Sequence, residues 1–300
     1  MTSQNHDCDV LILGAGLAGL SLARHLLLEP GDRKILVVDR RALPKKRQQV
    51  GEATVQVSGY YFSRVLGLEE HLLQEHYLKY NLRFWWPSSE GGADRAEGYS
   101  QSYLRNLSNI ATYQLDRNKL EDELLRVNSL DPRFALIAPL TELELDLGKR
   151  GSDNEHHRFR GQNAQGEEVS GRARWVVDAS GRARVLAKKL DLALPSPIRH
   201  GTTFLWVDGL VDPEKLTDLS PKEVRLHSSR SVLGHMPYFL ATNHFCDDGM
   251  WFWVIPLHGK TSLGLVYDRE RVPREARAAR PVGEQRGRDG DPLPEDRRRL

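Results

Sequence analysis

Positions 10–13 form an unbroken apolar run that stops at Gly14, and glycines recur at Gly16 and Gly19 as an apolar helical pattern begins. This predicts a buried strand, a tight turn and a helix over residues 17–28 that is apolar on most sides, as for a helix clamped between layers. A turn at Pro30-Gly31-Asp32 leads into a second buried run, Ile35-Leu36-Val37-Val38, closed by Asp39. Residues 57–78 read as helical. Residues 80–86 read as a strand in which Tyr80, Leu82, Phe84 and Trp86 alternate with Asn81, Arg83 and Trp85, so the first set is expected on the buried face. A strand at 111–115 precedes Asp116, the predicted N-cap of a helix carrying Leu120, Leu124 and Val127 on one face. Residues 134–174 predict a meander of exposed strands with turns at 148–151 and 163–166. Trp175-Val176-Val177-Asp178-Ala179-Ser180-Gly181 predicts a buried strand ending in small residues, followed by a short helix to Leu190. Pro195-Ser196-Pro197 then marks a crossing into strands at 202–207 and 235–242 and a hairpin of 250–257 with 262–267, turned at 258–261.

The opening strand, turn and helix carry the first chemistry. Gly14 allows the turn, Gly16 lets the main chain approach a diphosphate, and Gly19 lets the helix sit close on the strand. Ala15 and Ala18 belong to the same turn, where the free N–H groups of the new helix face an anion. Asp39 lies twenty residues beyond Gly19, where an acid binds the ribose hydroxyls of an adenine nucleotide. Arg40 adjoins it at that end. The second nucleotide signal is Asp178 to Gly181, a strand end whose small residues let the backbone approach a ligand at the carboxyl edge of a parallel sheet. Dinucleotide binding is the prediction.

Composition narrows the partners. The chain has 300 residues, 39% hydrophobic and 28% charged, with a net charge of +2. Residues 271–300 hold nine arginines against six acids, contributing +3, so the remainder carries 2 − 3 = −1. That body offers no basic field for nucleic acid, and the aromatic-free tail is expected to be disordered. Two cysteines, Cys8 and Cys246, suit a reduced compartment. Asp7 and Asp9 stand where a signal peptide would be basic, and no run reaches membrane-spanning length, so a cytoplasmic protein without membrane contact is expected. His156-His157 has no matching pair at metal-ligand spacing, so no metal is expected. Ser180 lies outside any G-x-S-x-G elbow.

The order of strand, glycine loop, long insertion and Asp178-Ala179-Ser180-Gly181 resembles the FAD-binding fold of aromatic hydroxylases and their relatives, which implies FAD rather than NAD. Trp251-Phe252-Trp253-Val254-Ile255-Pro256 is similar to the W-x-W-x-I-P signature of flavin-dependent halogenases, where it lies beside the flavin. In a strand, Trp251, Trp253 and Ile255 project to one face and Phe252 and Val254 to the other, and Pro256 is expected to end the ladder. Gly51-Glu52-Ala53-Thr54 resembles that family's G-E-[AS]-T segment, which implies that Glu52 and Ala53 line the flavin; Gln56 departs from the proline of the tryptophan-specific members. Residues 77–84 resemble the segment holding the family's catalytic lysine, which puts that role on Lys79. Alternation alone places Lys79 on a polar strand face with Asn81 and Arg83. Arg117 reads equally as a flavin contact or a surface arginine.

The resemblance spans residues 8–270 and implies an α/β fold, with a FAD-binding Rossmann-like domain (1–80 and 113–195) and an interleaved antiparallel β-sheet substrate domain (81–112 and 196–270). It implies two-component halogenation of a small aromatic or carrier-bound aromatic. FADH2 is supplied transiently by a separate flavin reductase, since no second G-x-G-x-x-G is present. Chloride or bromide then reacts with the flavin hydroperoxide, and Lys79 handles the resulting hypohalous acid. The alternatives are an aromatic monooxygenase of the same fold and a non-catalytic remnant. The family's further C-terminal portion is not found, so a truncated or frame-shifted copy is expected.

Overall fold

The computed structural model describes residues 4–44, 48–88, 98–104, 108–148, 156–215 and 238–272. The chain opens with β1 (Gln4–Asn5), β2 (Cys8–Leu13), α1 (Leu17–Leu28) and β3 (Ile35–Val38). The expected helix over 57–78 is instead broken into α2 (Gln56–Tyr60), a π-helical turn at Tyr61–Val65 and α3 (Glu69–Glu75). Gly67, at φ 69°, separates the pieces, and the chain then straightens into β4 (Tyr77–Leu78). Next come β5 (Asn81–Pro87), β6 (Tyr99–Tyr103), β7 (Tyr113–Gln114) and α4 (Arg117–Ser129). They are followed by β8 (Phe134–Ile137), β9 (Thr141–Asp146), β10 (His157–Gln162), β11 (Glu168–Asp178) and α5 (Val185–Lys189). The last strands are β12 (His200–Asp208), β13 (Ala241–Asp247), β14 (Met250–Leu257) and β15 (Lys260–Asp268).

The first sheet runs β8-β3-β2-β11-β10-β9. Its β8, β3, β2 and β11 are mutually parallel, whereas β10 and β9 continue antiparallel. The expected meander over 134–174 is therefore corrected at its start: Phe134 to Ile137 extend the parallel sheet beside β3. Continuous apolar runs in β2 and β3 are required because both faces are covered. Val10, Ile12, Ile35 and Val37 meet Leu20, Ala23, Leu120 and Leu124 on the helical side. Leu11, Leu13, Leu36 and Val38 meet Leu140, Phe159 and Val169 on the other. Leu120 and Leu124 are fully buried, and trimming either to alanine costs about 2–5 kcal/mol. Asp116 caps α4 as expected, accepting from the Asn118 N–H at 3.0 Å.

The second sheet runs β12-β15-β14-β13-β5-β6. It is antiparallel except where β13 pairs with β5 in parallel, so the expected all-antiparallel sheet is mixed. Three further details differ from expectation. Of the strand expected at 235–242, positions 235–237 lie outside the described residues, Tyr238–Leu240 form a 3-10 turn, and β13 runs over Ala241–Asp247. Pro256 stays in the ladder opposite Thr261; the pairing with β13 stops at Val254, so nothing on that side misses its N–H. In β5 the buried residues are Asn81, Arg83 and Trp85, while Trp86 is exposed. Arg83 is held over the rings of Tyr238 (3.8 Å) and Tyr103 (5.0 Å), and the Trp85 Nε1–H donates to Asn243 Oδ1 at 3.0 Å. Aromatic partners and hydrogen bonds thus reverse the face that hydropathy alone selects.

The expected tail from residue 273 onward and positions 149–151 of the expected turn at 148–151 lie outside the described residues. Among the described residues no helix is long and apolar enough to cross a membrane. Among them, no group of three or more His, Cys, Asp or Glu side chains is placed to hold a metal ion.

Candidate active site

A cleft of about 1030 Å³ opens at the carboxyl ends of β2, β3 and β11, lined among others by Gly14, Gly16, Ala18, Asp39, Arg40, Arg117 and Gly181. Gly14 has φ 115°, and a Cβ on it would sit 2.5 Å from the Ala179 carbonyl oxygen, so only glycine lets the two strand ends meet here. A Cβ on Gly19 would strike the Gly14 carbonyl, whereas one on Gly16 would have no heavy atom within 4 Å. Open space over Gly16, at the head of a twelve-residue helix with no capping side chain, is what a diphosphate requires. The residues present fit a dinucleotide.

Asp39 is 5% exposed. Its carboxylate accepts from the Ala15 N–H at 3.0 Å and from the Arg41 N–H at 3.0 Å. It braces the glycine turn as well as lining the cleft, and buried Ala15 contributes through that N–H. Arg117 is not a surface arginine. It donates to the Val50 carbonyl at 2.9 Å and to Glu121 Oε1 at 2.6 Å, and its Nε is buried without a hydrogen-bond partner. Asp178 does not line the cleft. Burial would raise its pKa, but hydrogen bonds from Ser180 and Leu186 outweigh that and hold the carboxyl low. The Leu186 N–H donates to it at 2.8 Å, so Asp178 shapes the loop that presents Gly181.

Residues 51–54 connect this cleft to the second sheet. Leu115 N–H donates to the Glu52 carbonyl at 2.6 Å and Thr54 N–H to the Tyr113 carbonyl at 3.0 Å, so the segment adds itself to the β4–β7 ribbon. Lys79 leaves the strand pattern altogether. Its N–H donates to the Thr112 carbonyl at 2.7 Å, and its Nζ donates to the Thr54 carbonyl. The side chain is half-buried, and burial lowers its pKa.

Glu52 and Ala53 do not line the cleft. The Glu52 carboxyl turns into the second sheet, where it is 2% exposed and accepts from the Trp206 Nε1–H at 2.9 Å. Burial raises its pKa against hydrogen bonds from Trp206 and Ser262. Lys260 Nζ lies 3.5 Å over the Trp206 ring and 2.7 Å from Asp116 Oδ2. The Asp116 N–H in turn donates to His76 Nδ1 at 3.0 Å. Burial, aided by the neighbouring His71, brings the His76 pKa down to about 4.

Trp253, Ile255 and Leu257 share one face of β14 and pack with Ala53, Phe204 and Trp206. The Trp253 Nε1–H donates to Ser262 Oγ at 3.1 Å, and its ring fills the space that a Cβ on Gly264 would need. Trp251 stands farther along, edge-on to His200 at 5.8 Å. The β14 wall therefore backs Ala53 rather than the cleft itself. Sequence reasoning missed Gln114, whose Nε2–H donates to Thr242 Oγ1 at 2.9 Å, and His244, whose ring stacks on Phe84 at 5.3 Å. Alternation over 241–247 would have put Thr242 and His244 on one face, had the strand been placed there.

No protein-family model matches the chain. It is 29% identical over 292 residues to the flavin-dependent halogenase chlA of Dictyostelium discoideum, covering 88% of this chain and 45% of that protein. The solved structure of halogenase PltM in complex with phloroglucinol and FAD matches with a TM-score of 0.66 at 18% identity, over 88% of this chain and 52% of that one. The myxobacterial chondrochloren halogenase CndH, described as a variant of FAD-dependent halogenases, matches with a TM-score of 0.59 at 19% identity, over 88% and 54%. The chain thus spans about half the length of the proteins it matches. It is related in sequence to a flavin-dependent halogenase and has the fold of the FAD-dependent halogenases.

Proposed function

We propose that this chain carries the cofactor cleft and the reactive lysine of a two-component, FAD-dependent halogenase acting on an aromatic ring. Bound in reduced form, FAD supplies hypohalous acid there from oxygen and chloride or bromide. Gly14, Gly16 and Ala18 hold the diphosphate, Asp39 and Arg40 the adenosine end, and Gly181 and Arg117 the opposite wall. In this reading the first sheet with α1 and α4 is the cofactor unit and the second sheet the substrate unit. In the same reading a separate flavin reductase delivers the reduced cofactor.

The observation that carries the reading is Lys79, half-buried and bonded to the Thr54 carbonyl. Burial lowers its pKa, which enlarges the neutral fraction at a given pH. As an ammonium it donates a hydrogen bond to hypohalous acid. As an amine it attacks the halogen, forming an N–halogen bond and releasing water, and the aromatic ring then takes the halogen and returns the N–H.

The test is product mass with and without bromide, using reduced FAD, oxygen and a panel of aromatics. Wild type is expected to brominate, and Lys79→Ala to lose bromination while keeping its affinity for FAD. Unchanged bromination in Lys79→Ala removes the lysine from the mechanism, and an added oxygen in place of halogen supports the monooxygenase reading instead.

A further inference from the structure

Thr54 ends the segment that joins the β4–β7 ribbon, and its side chain is buried there. Its N–H donates to the Tyr113 carbonyl at 3.0 Å, and its Oγ1–H donates to the same carbonyl at 3.2 Å. The hydroxyl oxygen in turn accepts from the Tyr113 N–H at 2.7 Å, so one short side chain engages both main-chain groups of Tyr113. The residue before β7, Thr112, grips the lysine from the other end. The Lys79 N–H donates to the Thr112 carbonyl at 2.7 Å, and the Thr112 Oγ1–H donates to the Lys79 carbonyl at 3.1 Å. Lys79 is thus referred at both ends to two consecutive residues: its main chain directly to Thr112, and its Nζ, through the Thr54 carbonyl, to Tyr113. The first clamp fixes where the side chain starts and the second where it ends.

We propose that Thr54 is a positioning residue for Lys79: its hydroxyl locks the main chain so that the Thr54 carbonyl takes one N–H of the amine and turns the rest of that nitrogen away from the ribbon. The consequence for halogen transfer rests on the halogenase reading, while the hold on the amine does not.

The hold serves both protonation states. An ammonium carries three N–H donors, and with one given to Thr54 two remain for an incoming acid. A neutral amine that gives one N–H to Thr54 keeps its lone pair off that bond in a fixed direction, as attack on a halogen requires. The carbonyl and the surroundings act on the charge in opposite senses. Burial lowers the Lys79 pKa, whereas a hydrogen bond to the ammonium favours the charged form. His244 of β13 is near enough to feel that charge. Burial, with Lys79 second, brings the His244 pKa down to about 4, so this imidazole is neutral at neutral pH and adds no competing charge.

The experiment follows acetylation of Lys79 by acetic anhydride against pH, read by peptide mass spectrometry on the full chain, in wild type, Thr54→Val and Thr54→Ser. Valine keeps the size and loses the hydroxyl, so the carbonyl is released and the ammonium loses its acceptor. The neutral fraction of Lys79 at a fixed pH below its midpoint should then rise about tenfold, the size of one hydrogen bond to a charged group. Serine keeps the hydroxyl and should titrate as wild type does. An unchanged titration in Thr54→Val, or an equal shift in Thr54→Ser, overturns the proposal. Should Thr54→Val fold poorly by circular dichroism, wild type labelled with ¹³C-carbonyl threonine decides it. A Thr54 carbonyl resonance that follows the Lys79 midpoint, together with a Tyr113 amide protected from exchange, supports the proposal, and the lack of either overturns it. In turnover, Thr54→Val should lower kcat for bromination about tenfold or more and leave KM for the aromatic unchanged. A shifted Lys79 titration with no bromination in wild type fails the halogenase reading and leaves Thr54 in place. Bromination with an unmoved titration does the reverse.

Discussion

Three glycines in one turn respond differently to an added methyl group, and Gly16→Ala is the variant that isolates cofactor binding from folding. Gly16 sits at φ −97° and ψ −174°, extended backbone that alanine adopts without strain. A Cβ there meets nothing within 4 Å. Replacing glycine by alanine gains about 0.4–1 kcal/mol by restricting the unfolded chain, while alanine at a helix N-cap loses about 0.5–2 kcal/mol relative to a favoured cap, of which glycine already forgoes a few tenths. The two nearly cancel, so the denaturation midpoint should shift by less than about 1 kcal/mol equivalent. The methyl group occupies the space over the helix head where the diphosphate approaches, so FAD affinity should fall by about a hundredfold, or roughly 2.7 kcal/mol. Gly14→Ala is the control with the opposite profile. At φ 115° and with the Ala179 oxygen 2.5 Å from the new Cβ, it should lose at least about 1–3 kcal/mol of stability to backbone strain alone. Urea denaturation followed by flavin fluorescence titration on both variants reads the two quantities separately. If Gly16→Ala binds FAD as wild type does, no diphosphate rests on that helix, and the cofactor assignment fails.

Two further predictions concern the buried polar groups beside the site. His76 is neutral when folded, with its pKa down to about 4, so the unfolded chain binds its proton first and stability falls as pH drops from the ordinary histidine range towards that value. At about pH 5 the loss from this group is about 2 kcal/mol. Denaturation of His76→Asn should show a correspondingly shallower acid dependence, and an unchanged slope would exclude His76 as its source. Glu52 has the opposite sign: burial raises its carboxyl pKa, so the folded state favours the protonated form. Glu52→Gln, which keeps an acceptor for Trp206, should stay within about 1 kcal/mol of wild type near neutral pH, while Glu52→Ala strands the indole N–H and should cost about 1–3 kcal/mol. Equal losses in both would mean the Trp206 bond contributes nothing.

The glycine turn, the buried strands β2 and β3 and the capped helix after Asp116 were legible because their patterns are local: an apolar run, a φ that only glycine tolerates, a side chain reaching two residues ahead. The run at 175–181, expected to be buried, instead leaves Trp175 67% exposed. The faces of β5 were not legible. Asn81, Arg83 and Trp85 are buried because aromatic rings and Asn243, distant in sequence, satisfy them, and no hydropathy scale records a partner. Alternation alone misplaces Lys79 for a related reason. Alternation assumed that the strand continued through it, whereas the backbone detours between β4 and β5 and sends the amine to Thr54. Glu52 was recognised as a site residue by its motif, but the motif says nothing of direction, and Trp206 sets that.

The parallel pairing of β5 with β13 bears on how the chain is made. Their contact joins residues 158 positions apart, and closing a loop of that length costs about 4–5 kcal/mol of chain entropy before any bond is gained. The first sheet is complete once Asp178 has been synthesised, so it can assemble while the second still lacks most of its strands. On a ribosome adding about 5–20 residues per second, β5 waits roughly 8–30 seconds for its neighbour. Through that interval its indoles and unpaired edge face the crowded cell, so low yield on rapid overexpression should trace to this strand, and slower translation or co-expressed chaperones should relieve it.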